Sequence, residues 1–248
     1  MDYIDQLEYT NYYHIADLII RMACFGETLK RQGRPYLMDK PAPADITITL
    51  PPEKLKLLQE KYPHLTLNDV EYIQTGFAFS RALLEFDGFC LHASAVALNN
   101  RAVLFSAPCG TGKSTHAGLW QKHFGADKAL ILNDDKPALR LLDDTFYVYG
   151  TPWSGKTDLS LNLKVPLQTI VFLEQAQENS IRRLNNKEGV QWLVYQSLRP
   201  VGDRNKMNRL LILLDNLLKK FPVYHLGCTV STQGVDLVYR TINKERNG

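Results

Sequence analysis

Residues 107–114 place small residues, a lysine and a hydroxyl in an order that suits phosphate chemistry. An apolar strand is predicted at residues 102–105, and a helix is predicted to begin at Lys113. Gly110 and Gly112 lack a Cβ, so the backbone N–H groups around them can converge on an anion. Lys113 would contact the β- and γ-phosphates of a nucleotide, and Ser114 would offer its hydroxyl to Mg²⁺. The pattern therefore predicts a phosphate-binding P-loop.

The pattern departs from GxxxxGK[ST] at its first position, where Ala107 replaces glycine. That position is the one farthest from the phosphates. A glycine-rich turn that joins a strand to a helix without binding a ligand is the alternative interpretation. The predicted nucleotide-binding residues are Gly110, Thr111, Gly112, Lys113, Ser114 and Thr115.

Two adjacent acids follow the next predicted strand, at residues 128–132. Asp134 and Asp135 would thus lie at the carboxyl end of a buried strand, where a carboxylate that serves Mg²⁺ is expected in a nucleotide-binding sheet. Adjacent acids are also common in plain turns. Their position one strand after the glycine-rich residues favours a functional role.

Asn99 and Asn100 separate two apolar runs and predict a tight hairpin, because asparagine tolerates the positive φ of a primed turn. With these two residues at the centre of the turn, Leu98 faces Arg101. The same register places His92 opposite Ala107, beside the predicted phosphate site. A histidine satisfied within the core is the alternative.

Three segments together resemble the HPr kinase/phosphorylase family, which has a phosphoenolpyruvate carboxykinase-like fold. They are residues 91–96 around His92, the loop that ends in Gly112, Lys113 and Ser114, and residues 133–136. The resemblance covers roughly residues 88–175. It is nearest to the smaller members that phosphorylate serines of peptides, and the turn at residues 151–156 looks like theirs.

The resemblance implies a role for each matching residue. Asp134 would be the catalytic base that takes the proton of the substrate hydroxyl, and His92 would tune Asp134. Asp135 and Ser114 would serve as metal ligands for Mg²⁺. Lys113 would stabilise charge on the transferring phosphoryl group, and ATP would be the phosphate donor.

The rest of the chain predicts an α/β fold, a P-loop-containing mixed sheet of the phosphoenolpyruvate carboxykinase-like type. Residues 1–70 are expected to form a strand-rich N-terminal portion, with strands at residues 13–22 and 45–50. Residues 71–248 are expected to form a P-loop kinase core. Apolar periodicity predicts a helix over residues 68–86. Further strands are predicted at residues 138–142, 146–149, 167–173 and 223–228, and further helices around 190–198, 205–220 and 231–242.

Composition excludes several classes of protein. The formal net charge of +3 is too small to indicate binding to nucleic acid or to a membrane surface. The four cysteines form no CxxC pair, and no signal peptide or membrane span is visible. We therefore expect a cytoplasmic protein that binds neither nucleic acid nor membranes. The leucine-rich helices predicted near the carboxyl end could pack in the core or form the interface of a homo-oligomer, so both alternatives stay open.

The sequence thus predicts an ATP-dependent kinase that phosphorylates a serine or threonine hydroxyl of a peptide, a protein or a small molecule. A nucleotide-binding regulator with little or no phosphotransfer is the alternative function, and a phosphorylase or carboxykinase activity is a third. The turn at residues 150–156 contains Trp153 and Lys156 and also allows two interpretations. It could close over a substrate, or it could be a surface turn with Trp153 packed inward.

Overall fold

The computed structural model describes residues 10–244 of the chain. Its helices are α1 (Glu27–Gly33), α2 (Pro52–Lys61), α3 (Leu67–Leu83), α4 (Lys113–Phe124), α5 (Asn186–Gln196), α6 (Arg204–Lys220) and α7 (Thr232–Lys244). Its strands are β1 (Thr10–Ile15), β2 (Leu18–Ala23), β3 (Ile46–Ile48), β4 (Gly88–Cys90), β5 (Ala93–Leu98), β6 (Arg101–Ser106), β7 (Leu130–Asn133), β8 (Ala138–Leu142), β9 (Thr145–Tyr149), β10 (Lys164–Gln175), β11 (Ser180–Arg183) and β12 (Val223–Cys228). The predicted α/β class is confirmed.

The larger sheet is mixed and has nine strands, in the order β4, β8, β9, β10, β6, β5, β7. Strand β12 also pairs with β10, in parallel, and carries β11 at its other side. Strand β10 is twelve residues long, so it can pair with β9 near its start and with β6 and β12 farther along. It therefore joins the two halves of the sheet.

Strands β6 and β7 run parallel to each other, because both pair with β5 in the antiparallel direction. Their carboxyl ends consequently lie at the same edge of the sheet, with the start of β5 between them. Strand β6 ends at Ser106 and β7 ends at Asn133. The topology thus brings the glycine-rich residues and the acidic residues together, although a helix and a strand separate them in the sequence.

The β5–β6 hairpin confirms the predicted register. Asn99 and Asn100 have φ values of 51° and 57°, as a type I′ turn requires, and Leu98 pairs with Arg101. The ladder extends to the pair Ala93 and Ser106. His92 lies one residue beyond it, and its carbonyl accepts a hydrogen bond from the Ser106 hydroxyl at 2.8 Å.

Helices cover both faces of the sheet. Along β6, Ala102 and Leu104 belong to one apolar cluster, whereas Val103 and Phe105 belong to another, as the alternation of a strand requires. Helices α5 and α6 pack on the first face, and α4 and α7 pack on the second. Within residues 10–244, none of these helices combines the length and the apolar character that a membrane span needs.

The N-terminal portion differs from the expectation. The single strand predicted at residues 13–22 is a hairpin of β1 and β2, because Ala16 and Asp17 take left-handed φ values of 56° and 58°. Residues 10–70 of this portion are mixed instead of strand-rich, since they contain α1 and α2, and residues 1–9 lie outside the described residues. Helix α2 consists mostly of Glu, Lys, Leu and Gln, which are strong helix formers. Helix α3 begins at Leu67, so the predicted boundary at residue 70 falls within its first turn.

Candidate active site

The glycine-rich loop, residues 107–112, connects β6 to α4 and has the backbone that its sequence predicts. Gly110 and Gly112 have φ values of +82° and +109°, a region that favours glycine. Gly112 is also the N-cap of α4, and no side chain caps this helix. The first N–H groups of α4 are therefore available to an anion, and the helix dipole adds partial positive charge there.

Ala107 explains how the loop tolerates its departure from the glycine pattern. Its side chain is fully buried and packs in the same apolar cluster as Phe105 and Trp120. The following residues, Pro108 and Cys109, are exposed. The methyl group thus points into the core, and the open part of the loop begins after it.

Lys113 starts α4 and turns back over the loop. Its ammonium donates hydrogen bonds to the carbonyl oxygens of Ala107 at 3.0 Å and Pro108 at 3.4 Å. Only 8% of Lys113 is exposed, and this burial lowers the pKa of its ammonium, while the charges of Asp135 and Asp134 oppose the shift. The lysine and both acids therefore lie within electrostatic reach of one another. Ser114 and Thr115 are exposed in the first turn of α4.

The acid loop, residues 133–136, is organised by Asn133 at the end of β7. The Asn133 side-chain oxygen accepts hydrogen bonds from the backbone N–H groups of Asp135 at 3.0 Å and Lys136 at 2.7 Å. Its amide nitrogen donates to the carbonyl oxygen of Thr151 at 2.9 Å. This is an Asx-type turn, and it fixes the direction in which each acid leaves the strand. Asn133 was not predicted to have a role, although an asparagine directly before a turn is a sequence signal for an Asx turn.

Asp134 is a buried carboxylate with one satisfied oxygen. Its Oδ1 accepts a hydrogen bond from the hydroxyl of Ser94, and only 5% of the residue is exposed. Its Oδ2 is buried and has no hydrogen-bond partner among the described residues. Because an unsatisfied buried acceptor is unfavourable, this oxygen is suited to receive a donor from a ligand. Sequence reasoning assigned no role to Ser94, which lies on β5 two residues after His92.

His92 contacts Asp135 instead of Asp134, which corrects the expected geometry. Its Nε2 lies 3.4 Å from Asp135 Oδ1, and its Nδ1 lies 3.2 Å from the side-chain oxygen of Gln196. The physical reason is a backbone hydrogen bond of 3.0 Å from Ala93 N–H to the Asp135 carbonyl, which aligns residue 135 with the start of β5. Burial and the Lys113 charge lower the pKa of His92, so its neutral form is favoured at pH 7.

Asp135 is the more accessible of the two acids. Its side chain retains 20% exposure, and its Oδ2 pairs with the ammonium of Lys136. A group of three or more His, Cys, Asp or Glu side chains that could hold a metal ion does not occur within residues 10–244. Mg²⁺ does not require such a cage, because it is usually bound by one or two carboxylates together with phosphates and water. The oxygen donors of Asp135 and Ser114 fit that kind of binding.

Comparison with known proteins places the chain in a family. Residues 65–240 match the family described as SynChlorMet cassette protein ScmC, and this range includes the glycine-rich loop and the acid loop. The chain belongs to the ScmC family. A solved structure that resembles it is that of the Hpr(Ser) kinase/phosphatase from Coxiella burnetii, with a TM-score of 0.40 and 10% sequence identity over 64% of this chain and 99% of that chain. No curated protein matches the sequence.

In this member of the ScmC family, the turn after β9 has Trp153 packed inward. Trp153 is 1% exposed, and its ring stacks on Phe79 with centroids 4.8 Å apart. Its Nε1 donates to the Thr75 hydroxyl at 3.1 Å, and its carbonyl accepts from Lys136 N–H at 3.1 Å. Of the two interpretations of this turn, the structure supports the one in which Trp153 packs inward, while Lys156 is exposed.

Proposed function

We propose that the protein is an ATP-dependent kinase that transfers the γ-phosphate to a serine or threonine hydroxyl of a peptide, a protein or a small molecule. The observation that carries this proposal is the proximity of the glycine-rich loop and the acid loop at one sheet edge. A lysine and open backbone donors suited to phosphate thus lie beside two carboxylates suited to a metal ion and a proton.

The glycine-rich loop would hold the phosphates. The free N–H groups of the loop and of α4 would point at the phosphate oxygens, as at other helix N-termini. Lys113 would exchange its bonds to the Ala107 and Pro108 carbonyls for bonds to the phosphates. Because this ammonium is already largely buried, little desolvation remains to be overcome, and its charge would act in a water-poor site.

Asp135 and Ser114 would hold Mg²⁺. The metal ion, when bound, neutralises charge on the transferring phosphoryl group. For this role Asp135 must release part of its interaction with Lys136 and His92, which now flank its carboxylate. Both partners would remain close enough to hold the side chain in place.

Asp134 would take the proton of the acceptor hydroxyl. Its Oδ2 has no partner among the described residues, whereas its Oδ1 is oriented by Ser94. A hydroxyl hydrogen bond to Oδ2 would satisfy the carboxylate and place its basic oxygen against the proton to be removed. Because this oxygen is buried, the acceptor must open a path to it when it binds.

The alternative is a nucleotide-binding regulator, in which the same acids hold only the metal ion.

The test is incubation of the purified protein with γ-labelled ATP and Mg²⁺, against a peptide library and free serine. Label transferred to an acceptor hydroxyl supports the kinase. Release of labelled phosphate without transfer supports the regulator, and nucleotide binding with neither result contradicts the kinase. The same assay with labelled GTP identifies the preferred donor.

A further inference from the structure

One face of α3 supports the turn at residues 153–155. Four residues at the i, i+3, i+4 and i+7 spacing of a helix face form this support, and they are Tyr72, Thr75, Gly76 and Phe79. Phe79 and Thr75 hold the Trp153 indole by stacking and by a hydrogen bond. A Cβ on residue 76 would lie 2.9 Å from Trp153 Cδ1, so the glycine permits the close approach.

Gln32 of α1 completes a ring of hydrogen bonds around Gly155. The Tyr72 hydroxyl donates to Gln32 Oε1 at 2.8 Å, and Gln32 Nε2 donates to the Gly155 carbonyl at 2.9 Å. The Gly155 N–H in turn donates to the Tyr72 hydroxyl oxygen at 2.9 Å. Gln32 is 5% exposed, and burial raises the pKa of Tyr72, so the hydroxyl keeps the proton that it donates.

Gly155 connects the hydrogen bonds of Tyr72 and Gln32 to the acid loop, because it lies directly against Asp135. Its φ is +71°, and a Cβ built on it would lie 3.0 Å from Asp135 Cβ and 3.2 Å from Asp135 Cγ. Two residues earlier, the Trp153 carbonyl accepts the N–H of Lys136. The turn therefore touches the acid loop at two successive residues, one of which is a proposed metal ligand.

We infer that Gln32 and Tyr72 are positioning residues that hold Asp135 in place through Gly155. This inference rests on the proposed function, and it gives the N-terminal portion a part in the active site. The helix α1 contributes Gln32, and the contact extends across 123 positions of the sequence to Gly155. Small displacements of groups that position reacting atoms lower rates strongly, by about 100-fold for 1 Å.

The test compares Tyr72→Phe and Gln32→Met with the matched control Tyr149→Phe. The Tyr149 hydroxyl also joins the core to the N-terminal portion, since it donates to Asp17 at 2.7 Å, but it does not contact the turn. We expect the first two variants to lose roughly 10-fold to 100-fold in kcat and to need more Mg²⁺ for half-maximal rate. Their KM for ATP should stay within about twofold of the wild type, because the glycine-rich loop is unchanged.

Hydrogen exchange gives a readout that does not depend on activity. The amide of Lys136 should exchange faster in Tyr72→Phe and Gln32→Met than in the wild type and in Tyr149→Phe, because these variants weaken one of its two hydrogen bonds, the one to the Trp153 carbonyl, and leave only the one to Asn133 Oδ1. Equal exchange and equal kcat in Tyr72→Phe and in the control would overturn the inference. If the wild type transfers no phosphate, the exchange comparison still decides whether these residues position the acid loop.

Gly155→Ala covers the case in which the other variants do not fold. It keeps Gln32 and Tyr72 but places a methyl group against Asp135 and strains the backbone at positive φ. We expect the same fall in kcat and the same rise in Mg²⁺ requirement. Wild-type kinetics in a folded Gly155→Ala variant would contradict the inference.

Discussion

The hydroxyl of Ser94 donates a hydrogen bond to the buried carboxylate of Asp134. The two residues lie on β5 and directly after β7, strands that pair with each other in the sheet. The bond occupies one carboxylate oxygen and leaves the other without a partner among the described residues. In the proposed kinase, that pattern distinguishes Asp134 from Asp135, which is paired with Lys136 and lies against His92.

Replacement of Asp134 by asparagine should separate binding from transfer. We expect Asp134→Asn to keep Mg-nucleotide affinity within a few-fold and to lose roughly 10²–10⁴ in transfer, because an amide cannot accept the hydroxyl proton. Single-turnover rates and equilibrium binding measure the two quantities. Asp143→Asn, in the turn between β8 and β9, is the matched control. Equal and modest effects on binding and transfer would favour the regulator.

Removal of the Ser94 hydroxyl should weaken catalysis less than removal of the acid. Ser94→Ala leaves Asp134 Oδ1 without its donor, and hydrogen bonds to charged groups contribute about 1.5–3 kcal/mol. We expect the transfer rate to fall by about 10-fold to 100-fold, with an unchanged KM for ATP. Steady-state kinetics at saturating Mg²⁺ check this. A rate equal to that of the wild type would show that Ser94 does not orient the base.

Asp135→Asn should act mainly on the metal dependence. An amide oxygen is a weaker ligand for Mg²⁺ than a carboxylate, so the Mg²⁺ concentration for half-maximal rate should rise by roughly tenfold or more. A titration of initial rate against Mg²⁺ at fixed ATP measures the shift. An unchanged midpoint together with a large loss of rate would exchange the roles proposed for Asp134 and Asp135.

Lys113→Met should abolish most nucleotide-dependent activity while the fold is retained. Loss of one preorganised donor at the site of developing charge lowers rates by about 10²–10³. Lys122→Met, at an exposed position near the end of α4, is the matched control and should retain wild-type turnover. Circular dichroism establishes folding of both variants. Near wild-type turnover in Lys113→Met would refute the phosphate-binding role of the loop.

The buried His116 should make stability depend on pH. Burial lowers the pKa of His116 to about 4, below its ordinary 6.5, and its Nε2 accepts a hydrogen bond from Trp120 Nε1 at 3.4 Å. The unfolded chain binds this proton at higher pH than the native protein does. The free energy of unfolding should therefore decrease as the pH falls from about 6.5 towards 4, by about 1.4 kcal/mol per pH unit at most.

Urea denaturation at several pH values measures this contribution. His116→Leu should lose that part of the pH dependence, whereas His64→Leu, which alters an exposed histidine, should retain it. The difference in slope between the two variants is the relevant quantity. Identical slopes would show that His116 is not the group responsible.

Much of the fold around the site was predictable because it depends on local rules. Asn99 and Asn100 specify a primed turn, and this turn fixes the register of β5 against β6. Gly110 and Gly112 occupy positive φ where the strand turns into α4, and Gly125 ends that helix with a φ of +94°. In each case the types of one or two residues determine their own backbone φ, so the sequence is sufficient to predict the turn or the helix end.

Two local elements, the β1–β2 hairpin and strand β11, were not predictable from the sequence. Ala16 and Asp17 form the tip of the β1–β2 hairpin, although alanine is not a residue that indicates a left-handed turn. Strand β11, from Ser180 to Arg183, was missed because it is an exposed and polar edge strand. It forms by pairing with β12, so its conformation depends on a partner more than on its own side chains.

The sequence alone determined which residue types are available at the site, and the tertiary structure decided which of them meet. Asp134 and Asp135 are neighbours in the chain, yet the Asx turn of Asn133 and the bond from Ala93 direct them to different partners. Ser94 reaches Asp134 across 40 positions, and Gln32 reaches Gly155 across 123. Such contacts depend on how strands and helices pack over the whole chain, because a change of one residue in register turns a side chain to the opposite face.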